Sequence, residues 1–152
     1  MNLQNFTLFL HVSGVIVWVG GMAFAWACLR PALAVLPPAQ RIPVWIGVFN
    51  RFFPLVWMSI VLILASGFGK LAMIGFANGP RAWHWMMLTG LIMVAVFVSV
   101  WFGPWRRLRQ AARTEDWTAG AAALSSIRRR IGVNLVLSGI TVAIATIGLA
   151  VL

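Results

Sequence analysis

The sequence predicts an all-α polytopic membrane protein: a four-transmembrane-helix bundle with a short cytoplasmic helical connection between helices 3 and 4. Three observations carry this. Of 152 residues, 62% are hydrophobic and 9% charged, where a soluble domain would carry roughly 25% charge. Residues 1–29, 52–69, 82–105 and 131–152 contain no Asp, Glu, Lys or Arg, and each stretch is long enough to cross about 30 Å of hydrocarbon as a helix. The twelve basic residues sit almost wholly in the connections, the pattern of topology signals. The whole chain, 1–152, reads as one membrane domain with no room for a soluble one.

Helix 1 is expected over about residues 5–28. No Lys or Arg precedes it and its apolar run is too long for a signal-peptide core, so it reads as a retained span. Along it His11, Gly14, Trp18, Gly21, Ala25 and Cys28 follow helical spacings and form one seam. Glycines in such a seam let a neighbouring backbone approach. The lone cysteine, Cys28, excludes an intrachain disulfide and is expected to be a small packing residue. Arg30 and Pro31 end the helix. After Pro37-Pro38 an amphipathic, aromatic stretch from Arg41 suggests oblique approach to the membrane, with Pro54 kinking the chain or marking where it enters.

Helix 2 is expected over about 53–76, with Lys70 near its end. Asn78-Gly79-Pro80 signals a turn. Helix 3, about 82–102, opens on Trp83-His84-Trp85, an aromatic pair at interface height, and Gly103-Pro104 stops it. Residues 104–130 read as a helical hairpin or surface helix, with Thr114-Glu115-Asp116 as a helix start. Helix 4 occupies about 131–152. Gly20, Gly67, Gly69, Gly90, Gly132, Gly139 and Gly148 are expected at helix contacts, like Gly14 and Gly21.

The connections after helices 1 and 3 hold ten of the twelve basic residues, leaving Lys70 and Arg81 on the other side. The positive-inside rule then predicts a bacterial-type inner membrane protein with both termini periplasmic. Helices 1 and 3 run in the same direction, so His11 and His84 both fall near their outer ends, within roughly 6 Å of one depth at 1.5 Å per residue. Lys70 comes to the same layer from helix 2.

Two imidazoles on different helices at one depth suit a copper ion or the two axial positions of haem b; the plainer alternative is two polar residues hydrogen-bonded near the interface. A thioether selects Cu(I). Met87, one turn after His84, is the candidate, whereas Met22 lies about 16 Å deeper than His11. Lys70 either snorkels to the headgroups or contacts a haem propionate. Arg51 and Asn134 are a candidate polar pair at the cytoplasmic side. The only acids, Glu115 and Asp116, lie in a connection, which argues against a carboxylate-based proton-coupled pump. No Ser-His-Asp set, Walker loop or HExxH sequence occurs, and without an exposed domain the net charge of +10 does not point to nucleic acid.

Leu10-His11 with Trp18-Val19-Gly20-Gly21-Met22, Leu29-Arg30-Pro31-Ala32-Leu33, Arg51-Phe52-Phe53-Pro54, Phe102-Gly103-Pro104-Trp105 and Arg129-Arg130-Ile131-Gly132-Val133-Asn134 together resemble the short members of the CopD (copper resistance protein D) family. The layout is also similar, more loosely, to HemJ-type membrane proteins, in which a histidine matching His11 ligates haem b. The CopD resemblance implies an inner-membrane protein of copper uptake or delivery to periplasmic cuproproteins, acting as a homo-oligomer or in part of the role of the longer members. The HemJ-like layout implies a haem-dependent membrane oxidoreductase with His11 and His84 as axial ligands. A third expectation is a structural membrane subunit with no cofactor. A lipid bilayer and a periplasmic copper or redox protein are the expected partners, and catalysis is not required by the first or third reading.

Overall fold

A computed structural model describes residues 3–75 and 78–148; the expected ends of helix 2 at residue 76 and of helix 4 at 149–152 lie outside them. The helices are α1 (Leu3–Phe24), the single turn α2 (Arg30–Ala32), α3 (Pro38–Ile74), α4 (Arg81–Phe102), α5 (Pro104–Arg113) and α6 (Trp117–Ala143). No strand occurs among the described residues. Four helical stretches, Leu3–Val35, Pro38–Ile74, Arg81–Arg113 and Trp117–Gly148, are long and apolar enough to cross a membrane.

Two connections differ from the sequence expectation. The second span is the later half of one helix that begins at Pro38 and runs through Pro43 and Pro54 without a break. Pro38 stands where a missing N–H costs nothing, and Pro54 is exposed on the helix's outer side. Likewise, helix 4 begins at Trp117 rather than near residue 131. Asp116 caps it, its carboxylate accepting from Ala119 N at 2.9 Å. The 104–130 segment is thus a hairpin of α5 and the first turns of α6. On α5, Trp105, Leu108 and Ala111 are buried while Arg106, Arg107, Arg109 and Arg113 face outward.

Neighbouring spans run antiparallel, as three series of contacts show. His11, Gly14 and Gly21 of α1 meet Ser66, Ile63 and Phe52 of α3. Lys70, Trp57 and Phe53 of α3 meet Trp83, Phe97 and Trp101 of α4. Thr89, Met93 and Ser99 of α4 meet Thr141, Asn134 and Arg130 of α6. Low down, the core is aromatic: Trp45, Phe49 and Phe53 rise one turn apart on α3. Phe49 and Phe53 stack at 4.9 Å, and Trp105 stands edge-on to both.

The glycine seam of α1 lies against α3. Gly14, Trp18, Met22 and Ala25 are buried; a Cβ on Gly14 would stand 2.9 Å from Ile63 Cγ1 and 3.1 Å from the Ser59 carbonyl oxygen, and one on Gly21 would collide with the Phe52 ring. Cys28, however, is exposed. A π-helical turn over Ala25–Leu29 inserts an extra residue, which rotates the chain off the seam just before Cys28. Nor do all glycines pack: Gly20, Gly69, Gly90 and Gly139 face open space.

Candidate functional site

The histidine end is assembled from α1, α3 and α4. His11 projects from α1 onto Ser66 and Gly67 of α3, where the missing side chain of Gly67 leaves its Cε1 3.6 Å from the position a Cβ would take. His11 Nδ1 and Ser66 Oγ are 2.9 Å apart. A serine hydroxyl has one proton, and that of Ser66 goes back to the Leu62 carbonyl at 2.5 Å. Ser66 Oγ therefore accepts from His11 Nδ1–H. In the neutral ring the lone pair is then on Nε2, the arrangement in which a ligating histidine is fixed by the bond its other nitrogen makes.

One turn beyond Ser66 on the same face of α3 comes Lys70. Its Nζ lies 5.0 Å from the centroid of the Trp83 ring, so the ammonium is held by an aromatic face at the start of α4. Trp83, Met87, Gly90, Val94, Phe97 and Trp101 recur at helical spacing, and Trp83, Phe97 and Trp101 contact α3. Met87 shares this spacing and is half-buried, although the neighbouring stripe position, Gly90, faces open space. The antiparallel register, counted from Ser66 through the Lys70–Trp83 and Trp57–Phe97 pairs, brings Met87 within about one turn of the level of His11.

His84 is placed differently. Its Nδ1–H donates to the Pro80 carbonyl at 3.3 Å, and the residues that follow it on its own side of α4, Leu88 and Leu91, are exposed. No bond or ring contact joins His11 to His84 among the described residues. Nor do the described residues include a group of three or more His, Cys, Asp or Glu side chains placed to hold a metal ion. The sequence named His11, Lys70 and Met87; it missed Ser66. The available signal was the spacing of Ser66 and Lys70 by four, with Gly67 beside them, in an otherwise apolar helix.

At the opposite, arginine end the expected pairing of Arg51 with Asn134 does not form. Arg51 is exposed, because Arg51 lies one step round α3 from the buried Phe49 and Phe53. Asn134 is 3% exposed and its Nδ2 donates to the Met93 carbonyl at 3.1 Å; its Oδ1 is buried without a partner. The cation near it is Arg130, which with Asn134 lines a cavity of about 10 Å³. Arg130 Nη1 donates to the Ser99 carbonyl at 2.6 Å and to Ser99 Oγ at 3.1 Å, closing the last turn of α4 where Gly103 breaks it.

These placements bring the sequence motifs together: Phe102-Gly103-Pro104-Trp105 and Arg129-Arg130-Ile131-Gly132-Val133-Asn134 dock on each other through Arg130 and Ser99. The family described as Copper resistance protein D, CopD, matches residues 46–147, from the aromatic stretch of α3 into the π-helical turn that follows α6. His11 lies before the matched segment, and the HemJ-type layout found no counterpart. No curated protein and no solved structure matched the chain. With two thirds of its length matched, this multi-pass helical chain belongs to the CopD, or copper resistance protein D, family.

Proposed function

We propose that this protein handles copper across or at the inner membrane, as Cu(I), at the histidine end of the bundle. The observation that carries the reading is the Ser66–His11 bond, which leaves His11 Nε2 as the basic nitrogen on a side chain gripped at its other end. Met87 is the thioether at nearly the same level, and a thioether with an imidazole is a donor set that selects Cu(I). Cu(I) accepts low coordination numbers, so it does not need the larger cluster that these side chains fail to supply. His84, about one turn nearer the helix end than Met87, is a further imidazole on the path to that site. Lys70 fits this reading because the Trp83 ring takes up its ammonium, away from a competing cation. The same contact leaves nothing in favour of Lys70 as a propionate partner, and no observation favours haem b.

The orientation proposed is the one the arginines dictate, with the histidine end and both termini periplasmic and the arginine end cytoplasmic. The protein would then hold or pass Cu(I) at the periplasmic face, where a copper-carrying protein could dock.

The test is a Cu(I) titration of purified protein against a chromophoric chelator, in wild type, His11→Ala, Met87→Leu and His84→Ala. Binding should fall at least tenfold in the first two variants and less in the third. Equal affinity in wild type and His11→Ala would remove the site, and a Soret band that sharpens with dithionite would replace copper by haem. A C-terminal reporter should be active only in the periplasm; cytoplasmic activity would invert the orientation.

A further inference from the structure

We infer that the arginine end carries a second binding site, for a phosphate oxyanion, in the cleft between α2, α3 and α6. The cleft measures about 380 Å³ and is lined by Trp26, Arg30, Pro31, Ala34, Arg41 and Arg128. Three guanidiniums therefore converge on one space, close enough for the charges of Arg30 and Arg41 to act on Arg128. Topology alone requires basic residues at this end; it does not require them to face one another, and like charges brought together cost energy unless an anion sits between them.

The chain supplies no such anion. Its only acids are Glu115 and Asp116, of which Asp116 caps α6 and Glu115 occupies the α5–α6 turn. The Nε atoms of Arg41 and Arg128, two residues of the cleft wall, are buried with no hydrogen-bond partner. A buried, unpaired donor on a cation is costly, so these two arginines gain from an anion that reaches the rest of their guanidinium groups. By contrast, Arg106, Arg107, Arg109 and Arg113 on α5 are exposed to the surroundings and need no such ligand.

The walls are built to hold this geometry. The π-helical turn Ala25–Leu29 precedes Arg30, whose guanidinium lies 4.7 Å from the Trp26 ring centroid. Trp26 in turn rests on Gly132 of α6, where a Cβ would stand 3.0 Å from its ring. Arg128 is braced 5.7 Å from the Trp45 ring. Aromatic faces thus orient two of the three guanidinium forks while leaving their N–H edges for a ligand, and a planar fork matches the oxygens of a phosphate. At the level where the apolar spans end, that phosphate belongs either to an anionic lipid headgroup or to a small soluble phosphate. This site is independent of the copper reading.

The experiment is native mass spectrometry of the purified full chain after exchange into phosphatidylglycerol or phosphatidylcholine, with inorganic phosphate as competitor. Variants are Arg41→Gln and Arg128→Gln, and as control the double variant Arg106→Gln/Arg107→Gln, which removes equal or greater charge outside the cleft. Wild type should retain phosphatidylglycerol over phosphatidylcholine, and each cleft variant should weaken retention by roughly fivefold, as expected for one arginine at an anionic surface. Displacement by inorganic phosphate, with the same sensitivity to the cleft variants, would identify the soluble source; no displacement identifies the lipid. Unchanged binding in both cleft variants, or an equal loss in the control, would overturn the site. Should the glutamine variants fail to fold, Arg41→Lys and Arg128→Lys keep the charge without the fork; binding as tight as wild type in both would also overturn it.

Discussion

Ser66 touches no proposed copper ligand atom, yet its removal should weaken Cu(I) binding. Ser66→Ala deletes the hydroxyl 2.9 Å from His11 Nδ1 and leaves the ring only the Ile63 carbonyl of α3 as a nearby partner. An unpaired buried donor costs about 1–3 kcal/mol in water-soluble proteins, whereas hydrogen bonds between membrane helices average about 0.6 kcal/mol. The smaller figure applies to folding, because the ring can swing to another partner. That freedom is the point: once the ring can turn, or move its proton to Nε2, the ligand nitrogen is no longer held in place. Loss of such an outer partner typically costs about tenfold to a hundredfold in metal affinity. The expected result is therefore a barely altered melting profile and a Cu(I) affinity reduced by about tenfold or more, with Ser66→Thr, which keeps the hydroxyl, close to wild type. Wild-type affinity in Ser66→Ala, alongside loss in His11→Ala, would refute the argument that this bond sets the ligand nitrogen.

Three further substitutions test the scaffold by denaturant titration in detergent. Gly14→Ala should destabilise by about 1–3 kcal/mol through overpacking, since the new methyl group meets the Ser59 carbonyl as well as Ile63 and a backbone oxygen cannot step aside; unchanged stability would mean that α1 and α3 do not approach this closely. Arg130→Gln should cost about 1 kcal/mol by loosening the Ser99 carbonyl contact at the end of α4, and hydrogen exchange should rise around Gly103; exchange unchanged there would separate Arg130 from that turn. Asn134→Leu should stay within about 1 kcal/mol of wild type, because the lost bond to Met93 is offset by removing the partnerless Oδ1; a large loss would show that Oδ1 has an essential partner.

The fold was legible because its signals are gross ones. Four apolar stretches, Gly103-Pro104 and Asp116 each act through local physics, namely helix length, a missing N–H and a capping carboxylate, although the second and fourth helices begin earlier than expected, at Pro38 and Trp117. The seam from His11 to Ala25 was equally readable, since small and large residues alternate along one face. What escaped reading depended on phase and on partners from other elements. Cys28 leaves the seam because one π turn adds a residue, and no residue type announces that turn. Arg51 is turned outward by the aromatic ladder of α3, a consequence of Trp45, Phe49 and Phe53 needing the interior more than a guanidinium does. Ser66 was hidden because a serine in an apolar helix ordinarily bonds its own preceding turn; it does so here too, and only the fold reveals that its oxygen also accepts from His11.

The two ends also differ in how they relate to the family match. The aromatic ladder beyond Trp45, the Arg130–Ser99 junction, Ser66, Lys70, Trp83 and Met87 all lie within residues 46–147, so they belong to the part of the chain that the family describes. His11 is delivered from outside that part, on a helix whose attachment to α3 depends on Gly14 and Gly21 lying flush against Ile63 and Phe52. The candidate metal site is therefore a docking product: α3 and α4 form a socket with a hydroxyl acceptor, an aromatic-bound cation and a thioether, and α1 inserts the imidazole. A small change in the height or spacing of α1 would displace His11 Nε2, and would be felt in the aromatic core through Trp18 and Met22. The proposed metal site thus rests on the glycine seam as well as on its ligands.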